Sequence, residues 1–187
     1  MRLWLGVIAT VCLGLTGVVS AQKNELAAEA SGFVNTSPYD PSAGAGLQLN
    51  YARKLVGVPL ISLYVEVPFV AGFNNEQFVV TQLQRENYAN YYVTPGLKVK
   101  FAPGFFVSPY LAAGVGWAHF SSTSNNTSNT NFAADWGGGL DFKIAPVVGL
   151  RVEARDFYSG VPSLVPLLPS LGNQNNIVVS GGLWFRF

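Results

Sequence analysis

Apolar and polar residues alternate with a period of two along most of the chain, and no stretch keeps a helical period. At the C-terminus Ile177, Val179, Gly181, Leu183, Phe185 and Phe187 share one face, and Val178, Ser180, Gly182, Trp184 and Arg186 share the other. The same division separates Leu150, Val152 and Ala154 from Arg151, Glu153 and Arg155, and Leu97, Val99 and Phe101 from Lys98 and Lys100. Alternation of this kind gives a strand one apolar and one polar face. It predicts eight strands, at 25–34, 45–53, 60–70, 91–101, 107–119, 134–144, 148–158 and 177–187. Each is about the 9–11 residues that a tilted strand needs to cross a bilayer.

The connections sort into two kinds. Pro59, Pro103 and Pro146 mark tight turns at 55–59, 102–106 and 145–147, spaced 44 and 43 residues apart. Between them lie longer polar stretches at 35–44, 71–90, 120–133 and 159–176. Short turns at one end and long loops at the other are the layout of an outer-membrane barrel. The predicted fold is therefore all-β: an eight-stranded antiparallel transmembrane up-and-down β-barrel with both chain ends on the short-turn side. Proline cannot donate to a strand ladder and belongs at edges or bulges. The layout puts Pro68 and Pro95 near the long-loop rim and Pro109 near the short-turn rim.

The first 21 residues read differently. Met1-Arg2 is a short basic start, 3–20 is almost wholly apolar, and Val19-Ser20-Ala21 ends in small residues. This is the pattern of a cleavable signal peptide, leaving a single barrel domain at 22–187. Cys12 lies inside the apolar run rather than at its end, so lipidation is not expected. Arg2 is the one charged residue of the leader, so the remaining chain carries ten Lys and Arg against ten Asp and Glu, with no Cys or Met. Charged residues are 11% of the whole, against roughly 25% for an ordinary soluble protein. The high apolar content excludes disorder, and the balanced charge gives no basic footprint for nucleic acid.

Strand parity puts Glu25, Glu29, Glu66, Asp135, Asp141 and Glu153 on inward faces, with Lys98, Lys100, Lys143, Arg151, Arg155 and Arg186. Six acids thus face six bases. No charge is left facing mid-bilayer lipid, where Lys or Arg would cost about 2–4 kcal/mol. Eight strands enclose a lumen just wide enough for side chains to fill. Paired charges would then plug it and fix the fold. A narrow ion path, with room left by Gly114, Gly116, Gly137, Gly139 and Gly182, is the alternative.

The final strand, Gly181-Gly182-Leu183-Trp184-Phe185-Arg186-Phe187, and the glycine-rich runs 110–117 and 136–140 resemble the small eight-stranded outer-membrane β-barrel proteins, the OmpA/OmpX/Opa-like group. The resemblance covers 22–187 as architecture. It implies a bacterial outer-membrane location reached through a Sec-type signal. It implies that alternating Leu183, Phe185 and Phe187 form the signal read by the barrel-assembly machinery, with periplasmic chaperones as transient partners. Outer-membrane lipid and lipopolysaccharide would surround the wall.

Two aromatic clusters a strand-length apart read as interfacial girdles. Tyr51, Phe101, Phe105, Phe106, Phe142, Phe185 and Phe187 lie near the short turns; Phe69, Tyr91, Tyr92, Trp117, Phe157 and Tyr158 lie near the long loops. Loops usually carry the function of such a scaffold. The last one contains Leu164, Val165, Leu167 and Leu168, an apolar group that either meets an extracellular ligand or folds onto the barrel mouth. His119-Phe120-Ser121 resembles the His and Ser of outer-membrane lipid A deacylases. However, the next acid, Asp135, is sixteen residues away and inward. A serine nucleophile needs an oriented base, so no catalytic residue is assigned. One His and no Cys after the leader give no metal site, and no cofactor is expected. The sequence supports a non-enzymatic scaffold that presents surface loops for adhesion, envelope integrity or partner binding. A small pore is second and a lipid-modifying enzyme third.

Overall fold

The computed structural model describes residues 23–35, 42–79, 84–122, 128–160 and 173–187. The signal peptide with Cys12, and the loop group Leu164, Val165, Leu167 and Leu168, lie outside the described residues. Nine strand segments occur: β1 (Asn24–Asn35), β2 (Ser42–Val58), β3 (Ile61–Val79), β4 (Gln84–Val93), β5 (Gly96–Phe101), β6 (Val107–Ser122), β7 (Ser128–Ala145), β8 (Val148–Gly160) and β9 (Asn173–Arg186). All neighbours are antiparallel, and β9 pairs with β1 to close the sheet. A closed ring satisfies every strand edge, which a bilayer demands because it offers no water to unpaired backbone groups.

The ring has eight strands, because β4 and β5 are halves of one. Both pair with β3 on one side and β6 on the other, and the register on β6 is the same above and below the break. Its cause is two prolines meeting. Phe69 pairs with Val93 and Glu66 with Gly96, so Val67 and Pro68 oppose Thr94 and Pro95. Neither proline has an N–H to give to the ladder. Pro68 therefore lies mid-strand, opposite Asn50, rather than at the rim, and Pro95 lies beside it. Pro109 sits near the start of β6 at the turn end, as parity placed it.

The strands also run further than the alternation indicated. The stretch expected as a loop at 71–90 is mostly a β-hairpin, with Glu76 opposite Asn87 and Val79 opposite Gln84. The hairpin projects past its neighbours: β2 accompanies β3 only to Phe73, and β6 accompanies β4 only from Tyr88. Beyond the bilayer a strand needs no apolar face, so the sequence loses its alternation while the backbone goes on pairing. Strands likewise invade the ends of 35–44, 120–133 and 159–176. The tight turns stand at Pro59-Leu60, 102–106 and Pro146-Val147.

The wall is inside-out. Leu47, Leu49, Val65, Leu97, Leu111, Val115, Leu150, Val152 and Val179 are exposed on the outside, while Glu25, Glu66, Lys98, Lys100 and Arg151 are buried. Glycine allows large side chains to lie against the inner wall. A Cβ on Gly139 would stand 2.8 Å from the Tyr110 ring, and one on Gly149 would stand 2.5 Å from the Trp184 indole.

Candidate functional site

The lumen is filled in two layers. In the turn-side half, Glu25 is the hub. It takes Lys98 Nζ at 2.9 Å and Lys100 Nζ at 2.6 Å, and also pairs with Arg151. Asp141 accepts two bonds from the Arg151 guanidinium, at 2.7 and 2.9 Å, and pairs with Lys100. Glu66 joins Lys98 at 3.2 Å to Arg155 at 2.6 Å. Arg155 also reaches Asp135 at 2.9 Å and Glu153 at 3.0 Å. Tyr110 donates to Glu153, and its ring lies under Lys98 Nζ at 4.3 Å and the Arg151 guanidinium at 4.9 Å. Shared partners of this kind offset the cost of taking each charge out of water, which an isolated pair often fails to do.

Five acids and five bases are brought together, with Arg186 the most loosely held at 3.4 Å from Glu25. Two charges assigned inward by parity stay out. Glu29 is buried but carries no ion pair among the described residues; Asn50 Nδ2 donates to one oxygen at 3.1 Å, and the other has no partner. Lys143 is half-buried and likewise makes no ion pair among the described residues. The register shift between Lys143 and Ala145 turns the strand there, and its backbone N–H goes to Phe106 at the turn end. Lys143 is therefore removed from the predicted network.

Uncharged polar residues of the same inward parity complete this layer. Gln48 donates to Asn50 and Glu153, Ser180 donates to Gln48 at 2.9 Å, and Ser31 meets Ser180 at 2.8 Å. Their signal was the parity that identified the charges.

The loop-side half of the lumen is largely aromatic, with buried Asn90, Ser159 and Asn176 at the same level and Asn176 donating to the Tyr92 hydroxyl at 2.8 Å. Phe33, Val70, Tyr92, Ala118, Phe120, Ala133, Phe157 and Val178 form one buried cluster. The Tyr92 ring lies 4.8 Å from Phe157 and edge-on to Phe120 at 6.0 Å. Tyr92 and Phe157 thus leave the predicted outer girdle. Their distance along the strand suits a girdle, but their parity, shared with Lys98 and Arg155, points them inward. The outer cluster keeps Phe69 and Tyr91, whose rings stack at 6.4 Å, with Trp117 and Tyr158.

His119 faces outward. Its Nδ1 lies 2.8 Å from Thr130 Oγ1, and its ring lies 6.4 Å from Tyr91. Asp135 is on the opposite side of the wall, held by Arg155. The H-x-S pair and a carboxylate therefore occupy different faces. Leu183 and Phe185 point outward on β9, opposite Ala28 and Leu26 of β1. The Phe187 backbone exchanges two bonds of 3.0 Å with Asn24, which seals the last seam of the ring.

A closed eight-stranded ring with an apolar exterior and a filled interior defines an integral outer-membrane barrel protein. The chain belongs to the outer membrane protein beta-barrel domain family, whose model matches residues 9–180. It is a protein of the bacterial outer membrane. The match begins inside the predicted leader and stops short of the final residues. No curated protein sequence matches the chain. Among solved structures it is similar to Neisserial surface protein A (TM-score 0.66, 16% identity, 88% of this chain and 97% of that one). It is also similar to Ail, the attachment invasion locus protein of Yersinia pestis, solved with the heparin analogue sucrose octasulfate (TM-score 0.52, 17% identity, 87% and 99%). The outer-membrane enzyme PagL shares the fold as well (TM-score 0.52, 18% identity, 82% and 97%). At these identities the likeness is one of fold.

Proposed function

We propose that this protein is a non-conducting, non-enzymatic scaffold that holds surface elements at the outer face of the membrane for contact with an extracellular partner. The carrying observation is the doubly filled lumen, in which an ion-paired layer lies beneath an aromatic one. The projecting β3–β4 hairpin supports the reading, since it extends the barrel wall beyond the ring. Recognition by such elements fits the occurrence of an attachment protein among structures of this fold. Adhesion, envelope integrity and partner binding are the roles open to such a scaffold, with lipopolysaccharide and lipid around the wall. Leu183, Phe185 and Phe187 serve as the assembly signal in this reading, and Leu164, Val165, Leu167 and Leu168 as a loop contact.

Reconstitution of the purified protein in a planar bilayer tests the reading. A silent bilayer agrees with it, and stable unitary conductance overturns it in favour of a pore. The enzyme reading has one specific observation behind it, His119 two residues from Ser121 on a fold that PagL shares. Against it, His119 is engaged with Thr130, and Asp135 is turned inward. Mass spectrometry of lipid A incubated with the folded protein decides: loss of an acyl chain that disappears in a His119→Ala variant would establish catalysis.

A further inference from the structure

The turn-side mouth of the barrel holds a cavity of about 360 Å³, lined by Lys54, Gly57, Val58, Pro59, Tyr64, Pro103, Gly104 and Arg186. Its two charged lining residues are both cations, and no carboxylate lines it. Lys54 makes no ion pair among the described residues. Arg186 shares Glu25 with Lys98, Lys100 and Arg151, which hold that carboxylate more closely, so its own contact is the longest at 3.4 Å. The Arg186 Nε is buried and has no partner, while its side chain is 16% exposed. A guanidinium with an unused donor and a free ammonium thus border one small cavity.

The surroundings strengthen the field. Lys23 precedes β1, Arg53 pairs with Asn24, and Lys143 lies three residues from the 146–147 turn. Among the described residues the acidic side chains near this end, Glu25 and Asp141, are already taken up in the buried network, and the Phe187 carboxylate accepts from the Asn24 N–H. Residues 22–187 balance ten bases against ten acids, but this rim is basic. Short turns face the periplasm in such barrels, so the collar lies at the level of the inner-leaflet headgroups. Planar guanidinium and compact ammonium donors are the pair that recognises phosphate oxygens.

We propose that this mouth is a binding site for a phosphate-bearing anion, held between Lys54 and Arg186. A cavity near the small end of the range for ligand sites suits a headgroup or a small phosphorylated molecule. The proposal is independent of what the opposite face of the barrel presents.

Two arms separate the sources of the phosphate. In the first, inorganic phosphate is titrated calorimetrically into the full chain in maltoside micelles. In the second, the protein is placed in phosphatidylcholine nanodiscs containing some phosphatidylglycerol, and the lipid retained on extraction is identified by mass spectrometry. Saturable phosphate binding assigns a free anion, and enrichment of phosphatidylglycerol assigns a lipid headgroup; either supports the site. Lys54→Gln should weaken the signal about fivefold, the scale expected for one cation at an anionic surface, while Lys54→Arg retains it. Gly57→Ala gives a charge-preserving check, because the new Cβ would stand 2.3 Å from Lys54 Cε and 2.5 Å from Nζ and must push the ammonium aside. It should also weaken binding. Retention of the heat-dependent gel shift confirms that each variant is folded. Absence of both signals in the wild type, or equal signals in the wild type and folded Lys54→Gln, overturns the proposal.

Discussion

The two halves of the lumen solve one packing problem in different ways. The turn-side half is filled by carboxylates, ammonium groups and guanidinium groups, and the loop-side half by Phe33, Tyr92, Phe120 and Phe157. The same alternating wall supports both. The charged layer is specific: each group has named partners, and the loss of one strands several others. The aromatic layer depends on volume and shape, and its members have neighbours able to shift into a gap. The ionic half therefore ties strands together across the lumen through named pairs, and in the proposed reading the aromatic half closes the passage above it.

Removing the hub tests this contrast most severely. Glu25→Ala leaves Lys98, Lys100 and Arg151 without a shared carboxylate. Breaking a buried pair costs about 3–5 kcal/mol, so urea unfolding in detergent, followed by the gel shift, should move by at least that much. Phe157→Ala removes a ring from the aromatic layer. Its expected cost is about 3 kcal/mol, the lower end for a buried Phe, because Tyr92 and Phe120 adjoin the gap. A larger loss than for Glu25→Ala would reverse the order of the two layers. The smallest effects should fall on the two charges outside the network. Glu29→Gln keeps an oxygen for Asn50 and removes a carboxylate with no cation, so stability should stay within about 0.5 kcal/mol or rise. Lys143→Gln should be equally mild. A drop of several kcal/mol in either would show that the network extends further than its ion pairs.

Much of this architecture was legible because a bilayer enforces it. Lipid on one side and a narrow lumen on the other make every spanning strand alternate, so the outward Leu and Val and the inward Glu25, Glu66 and Arg151 declared themselves. Where the bilayer ends, so does that enforcement, and the outer part of the β3–β4 hairpin looked like loop. Pro68 and Pro95 were visible singly, but their meeting depends on the register between β3 and the broken strand. Tyr92 and Phe157 stand at a height along the strand that suits a girdle, but their parity turns them inward. Lys143 has inward parity, and only the register shift beside it removes it from the network. Which base meets which acid depends on side chains converging across the lumen from several strands, and alternation carries no information about that.

In the proposed reading two stacked layers close the barrel. Single-channel recording on the folded wild-type protein in a planar bilayer tests it most directly. A closed lumen leaves the bilayer silent while the gel shift confirms a folded barrel. Reproducible unitary current steps from that same folded preparation would contradict it.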